Sequence, residues 1–197
     1  MSKIFLTSDT HFCHDKDFCY KPRGFFNVKE MNEAIVDKWN SVVSSDDIVY
    51  HLGDLYLNDS VEAIKYIKQL NGRIIWIRGN HDTTNKIDYV YNHCSNVELM
   101  AGLNSSFAMI LPYKKLRCYL SHYPTLVANY DEKHFSQHTI NFHGHTHQTE
   151  KFLFSDNPFI YNVGLDCHDN YPIEIEEALE DVRQAYFDVK PYSKIFV

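Results

Sequence analysis

The chain has 197 residues, 44% of them hydrophobic and 23% charged, with only 7 Gly and 6 Pro, which excludes disordered, collagen-like and low-complexity classes and predicts one domain over 1–197. A net charge of −7, from 19 Lys and Arg against 26 Asp and Glu, argues against a protein that grips a long polyanion through a basic surface. Five Cys without CxxC spacing, no secretory leader and no long apolar run predict a reduced, soluble, cytoplasmic protein with no membrane partner.

Ile4-Phe5-Leu6-Thr7 is a short apolar strand that stops in Ser8-Asp9-Thr10-His11. Met31, Ala34, Ile35, Lys38, Trp39 and Val42 recur at helical spacing and predict an amphipathic helix over 30–43, with Lys38 lending its alkyl stem. A second strand over 47–52 ends in Gly53-Asp54. Asp59, three residues before Glu62, reads as a capping-box start, and Ala63, Ile64, Ile67 and Leu70 carry a helix over 60–70 to the stop signal Asn71-Gly72. A third strand over 73–78 runs into Gly79-Asn80-His81-Asp82. This alternation predicts right-handed βαβ units. Residues up to 106 show no clear pattern. A hairpin follows over 107–120, turning at Tyr113-Lys114-Lys115 and leading to His122. Thr139-Ile140-Asn141-Phe142 precedes His143-Gly144-His145-Thr146-His147. Phe159 to Val163 ends at Gly164, and Ile175, Ala178, Leu179, Val182 and Tyr186 mark a late helix.

Histidine is the outlier, at 12 residues, and most of its instances follow strands. In α/β sheets functional sites gather at the carboxyl ends of strands, so Asp9-x-His11, Gly53-Asp54, Gly79-Asn80-His81-Asp82, His122 and Gly144-His145-x-His147 are expected to line one crevice. On an extended segment the period of two points Asp9 and His11 to one side, and likewise His145 and His147. Carboxylate, imidazole and amide ligands without thiolate suit Mn²⁺, Fe, Zn²⁺, Ni²⁺ or Co²⁺. The supply of ligands exceeds the needs of one tetrahedral zinc and favours two divalent ions about 3.5 to 4 Å apart.

This ordered set resembles the calcineurin-like metallophosphoesterase signature over residues 9–147, and Asp9-Thr10-His11-Phe12-Cys13-His14 with Met31-Asn32-Glu33 and Trp39-Asn40-Ser41 resembles its small cap-less bacterial and phage members. The resemblance implies an α/β (α+β) fold, a β-sandwich of two mixed sheets flanked by helices. It places Asp9, His11 and His147 on one metal, Asn80, His122 and His145 on the other, and Asp54 between them, with manganese as the leading ion. His81 stays off the metals as general acid and Asn80 also touches the phosphoryl group; Asp82 is a candidate either to orient His81 or to cap the segment that follows it. The activity implied is phosphoester hydrolysis by a metal-bridging hydroxide.

His14 and Arg23 are candidate substrate contacts, Arg23 as a fork onto a phosphate oxygen. Tyr123 and His168 are weaker ones. The phosphoprotein phosphatases of the family carry Asp and Arg shortly after their GD motif; here Leu55-Tyr56-Leu57-Asn58 follows, which weakens a phosphoprotein substrate. The leading expectation is a phosphodiesterase on a small nucleotide-like phosphate ester. Alternatives are a phosphomonoesterase, a nuclease, or a non-catalytic protein-binding scaffold. The oligomeric state is open.

Overall fold

Period-two alternation sorts the side chains of four parallel strands, β1 (Ile4–Thr7), β2 (Ile48–His51), β3 (Arg73–Trp76) and β4 (Val97–Leu99), in the computed structural model, which describes residues 2–100, 107–127 and 134–189. Phe5, Val49, Ile74 and Trp76 pack with Met31, Ile35, Trp39, Ala63, Ile67, Ile87 and Val90. Those residues come from the helices α2 (Val28–Val42), α3 (Ser60–Ile67) and α4 (Thr84–His93), which cover this face; α1 is the short turn Asp17–Tyr20.

The neighbours Leu6, Tyr50 and Ile77 join the opposite cluster, with Leu120, Ile140, Phe142, Tyr161 and Val163 from a second sheet. That sheet is built of β5 (Ala108–Tyr113), β6 (Leu116–Ser121), β7 (Thr139–His143), β8 (Phe152–Phe154) and β9 (Asn157–Asn162), in the order β5-β6-β7-β9-β8. The first sheet runs β10-β1-β2-β3-β4, where β10 is Ile173–Glu174, antiparallel to β1. Both sheets are therefore mixed: β6-β7-β9 are parallel, and β5 and β8 are antiparallel edges. Helix α5 (Ile175–Val189) closes the sandwich through Ile175, Ala178, Leu179 and Val182. The expected sandwich of two mixed sheets flanked by helices is the fold observed.

Expected elements recur with shifted ends. The Asn27 side chain caps α2 from Glu30 N at 2.9 Å, so the helix starts before residue 30, and Val43 takes the buried place expected of Val42, which is exposed. Asp59 caps α3 by accepting from Val61 N and Glu62 N. Helix α3 ends at Ile67 rather than residue 70, because Gln69 N and Leu70 N tighten to the carbonyls of Tyr66 and Ile67. Helices α1 and α4 and strands β4, β8 and β10 lay in stretches too short or too weakly patterned to predict. Among the described residues no helix is long and apolar enough to cross a membrane.

Candidate metal centre

Three parallel strands in each sheet, β1-β2-β3 and β6-β7-β9, release the loops that carry the site. The two sheets meet there, where Ser8 bridges Gly164 in parallel pairing. The first two loops are knitted by Asp9 N to Gly53 O at 3.0 Å and His11 N to Asp54 O at 3.1 Å.

Each central carboxylate divides its two oxygens between scaffold and site. Asp54 Oδ1 accepts the backbone N–H of His81 at 2.8 Å, which turns Oδ2 toward Nε2 of His122 at 3.5 Å, His11 at 3.7 Å and His81 at 4.0 Å. Asp9 Oδ2 accepts the backbone N–H of His145 at 2.8 Å, and Oδ1 faces Nε2 of His11 at 3.6 Å and of His147 at 3.7 Å. Buried Asp9 Oδ1 has no hydrogen-bond partner.

The imidazoles are oriented from behind. His122 Nδ1 lies 2.8 Å from the carbonyl of Leu52, which can only accept, so Nδ1 carries the proton and Nε2 points its lone pair inward. There it meets Asn80 Oδ1 at 2.7 Å. His147 Nδ1 is held by Asp166 Oδ2 at 2.9 Å, with its Nε2 3.2 Å from Nε2 of His11. Acceptor facing acceptor at His122 Nε2 and Asn80 Oδ1 is reconciled by a cation between them. The described atoms form two such groups, Asp9-His11-His147 and Asp9-Asp54-His122. With its orphaned carboxylate oxygen and oxygen-nitrogen donors, the cluster fits divalent metal.

Charge states agree with that role. Burial pushes His11 down and keeps it a neutral donor. Burial would raise the Asp9 carboxyl, yet the surrounding His11, His122 and His147 hold it below the usual carboxylate range. Burial also lowers His145, whereas the hydrogen bond His147 donates to Asp166 raises His147.

The loops that carry these residues are not extended. Asp9, His11, Asp54, His145 and His147 have φ of 58°, 49°, 57°, 70° and 50°. Thus the paired side chains of Asp9-x-His11 and His145-x-His147 converge because both members turn left-handed, not by strand alternation as expected. Each such residue costs roughly 1 to 2 kcal/mol, and such strain gathers at functional sites. Three glycines of these loops are required by contact: a Cβ on Gly144 would lie 2.0 Å from Ser8 Oγ, one on Gly79 2.3 Å from Asp54 Oδ1, and one on Gly53 2.6 Å from Gly79 Cα.

Of the expected site residues, Asp9, His11, Asp54, Asn80, His122 and His147 come together at these distances. His145 is more exposed, its ring 5.1 Å from that of His122 and 4.7 Å from that of Tyr123. His81 stands half-exposed beside Asp54. The ring of His14 lies 5.4 Å from that of His11, and burial lowers His14 to about 4.

Two expectations are corrected. The Asp82 carboxylate does not orient the His81 ring; it accepts from Asp54 N at 2.7 Å, Gly79 N at 2.8 Å, Trp76 Nε1 at 3.2 Å and Leu55 N at 3.3 Å, pinning two loops. Burial and the nearby Asp54 charge push it up to about 6 against those backbone bonds. Arg23 is buried and does not face a substrate: its guanidinium donates to Asp166 twice at 2.9 Å, to Asp9 O at 2.8 Å and to Thr10 O at 3.2 Å. Asp166 itself was missed, although its signal was the one used elsewhere, a polar residue just after a strand and its glycine. His168 turns away, its Nε2 2.9 Å from Asn162 O.

Comparison with known proteins agrees with this geometry. Residues 2–165 match the family model described as the calcineurin-like phosphoesterase superfamily domain. The uncharacterized protein MJ1445 of Methanocaldococcus jannaschii is 51% identical over 84 residues, 42% of this chain and 48% of that protein, so the match spans about half of that relative's length. The Gene 66 protein of Mycobacterium phage D29 is 25% identical over 93% of this chain and 99% of its own. A crystal structure of AQ665 from Aquifex aeolicus, a protein of unknown function, superposes with a TM-score of 0.66 at 25% identity, covering 91% of this chain and 99% of that one.

Proposed function

The chain belongs to the calcineurin-like phosphoesterase superfamily, a family of metal-dependent phosphoester hydrolases, and from that premise we propose a two-metal phosphodiesterase acting on a small nucleotide-like ester. The observation that carries the reading is Asp54 Oδ2, a single carboxylate oxygen facing His122 at 3.5 Å on one side and His11 at 3.7 Å on the other. That is the position of a ligand shared between two ions. One would be held by Asp9, His11 and His147, the other by Asn80, His122 and His145, with Mn²⁺ the leading candidate. When bound, such ions supply Lewis acidity toward phosphate and an activated water.

The chain's own residues do the rest. His81 is anchored through its backbone, N–H to Asp54 Oδ1 and carbonyl from Lys86 Nζ at 2.9 Å, while its side chain is 48% exposed. It is thus fixed at its root and free at its ring, as a donor to a departing ester oxygen must be. Asn80, exposed at the rim, has an amide N–H₂ left for a phosphoryl oxygen once its oxygen is committed toward His122. Arg23 and Asp166 keep His147 and the Asp9 loop in place and touch no substrate.

A net charge of −7 disfavours a long nucleic acid as substrate. The test is hydrolysis of matched chromogenic phosphate mono- and diesters by chelator-stripped protein reloaded with Mn²⁺, Ni²⁺ or Zn²⁺, with bound metal counted per chain. Metal-restored diester cleavage with two ions per chain supports the proposal. A monoester preference replaces it with a phosphatase, and full metal loading without hydrolysis of either ester replaces it with a scaffold.

A further inference from the structure

Beside the metal centre lies a cavity of about 430 Å³, far more than a phosphate needs. His81 and His147 are among its lining residues, together with His14, Phe18, Cys19 and Pro22. Phe18 sits on the single turn α1, where its neighbours Cys19 and Tyr20 are buried, and is itself 72% exposed. An isolated Phe so exposed is ordinary; one held beside two buried residues in the lining of a candidate active site is a positioned apolar face. The His14 ring meets it edge-on, with centroids 5.3 Å apart. No Lys or Arg is among the described residues lining the cavity, and the Asp166 carboxylate there is already occupied by Arg23 and His147.

Taken with the phosphoesterase reading, on which it rests, we infer that this cavity is a subsite for a flat, uncharged organic arm of the substrate, an aryl group or nucleobase packed against Phe18 and Pro22. A second phosphate would find no cation there and one carboxylate. A planar ring finds an aromatic face, a proline and an imidazole set edge-on to that face, partners suited to aromatic packing. Phe18 is therefore a specificity-determining residue and not a catalytic one.

The test is calorimetric binding of methylphosphonate and phenylphosphonate to the Mn²⁺-loaded full chain. The wild type is expected to bind phenylphosphonate about tenfold more tightly than methylphosphonate, the scale of one stacked ring. In Phe18→Ala that ratio falls to near one, and Phe18→Trp keeps or raises it. Equal affinities in the wild type, or a ratio untouched by Phe18→Ala, with metal-dependent ester hydrolysis intact, overturn the subsite alone. If neither phosphonate binds and no ester is hydrolysed, the phosphoesterase reading falls, and the subsite with it.

Discussion

His147 Nδ1 and Asp166 Oδ2 lie 2.9 Å apart, and the same carboxylate accepts from Nε and Nη2 of the buried Arg23 guanidinium. The pair orients His147 so that Nε2 faces His11 Nε2 at 3.2 Å and Asp9 Oδ1 at 3.7 Å. Partners of this kind behind a metal-binding histidine typically change affinity by about 10- to 100-fold when removed. Asp166→Asn is expected to weaken metal binding by that factor while retaining the fold, measured by competition with a chromogenic chelator. Unchanged affinity would mean that His147 is not a ligand.

The same contact sets a pH window for the metal-free protein. Burial would raise the Asp166 carboxyl, but His147 and Arg23 hold it well below its ordinary 3.8, so its stabilisation is present above that value and fades as pH falls. His147 is raised above its ordinary 6.5 chiefly by Asp166, so its share is complete below 6.5 and is lost as pH rises through the higher folded value. The gap in Tm between metal-free wild type and Asp166→Asn is therefore expected to be widest between about pH 4 and 6.5 and to narrow on both sides. A gap that keeps growing above neutrality contradicts the assignment.

Asp82 holds together the loops after β2 and β3 by four N–H contacts, to Asp54, Leu55, Gly79 and Trp76. Asp82→Ala strands those donors in a buried place and is expected to cost about 3 kcal/mol in urea unfolding, with Asp82→Asn losing less. A stability within about 0.5 kcal/mol of wild type would show the loops to be held by other means.

His81→Ala removes an exposed ring without touching the buried scaffold. The expected result is a kcat lower by about 10²- to 10⁴-fold, with bound metal per chain unchanged. Loss of metal along with activity would instead make His81 a ligand.

Gly144 has no room for a methyl group, since a Cβ would press on Ser8 Oγ at 2.0 Å and Asp9 Oδ2 at 2.3 Å. Gly144→Ala should destabilise by roughly 1 to 3 kcal/mol and weaken metal binding by displacing the Asp9 carboxylate. Wild-type metal affinity in this variant would show that the loop gives way without moving Asp9.

What the chain order determines by itself is the set of strands and the polar residues that follow them. Leu6, Tyr50 and Ile77 against Phe5, Val49 and Trp76 encode the two faces of the first sheet through local alternation, and capping at Asp59 is equally local. Local signals therefore sufficed to name Asp9, His11, Asp54, Asn80, His122 and His147 as residues of one crevice. Tertiary structure alone decided what each side chain faces. Arg23 meets Asp166 across 143 positions and His145 N meets Asp9 across 136, and no local pattern carries such partners. For that reason Asp82, inside a motif, and Arg23, outside one, both hold the backbone, while Asp166, two residues after Gly164, stands behind His147. The left-handed turns at Asp9, His11 and Asp54 lie in loops joined by Asp9 N to Gly53 O and His11 N to Asp54 O, partners more than 40 positions apart that chain order does not bring together.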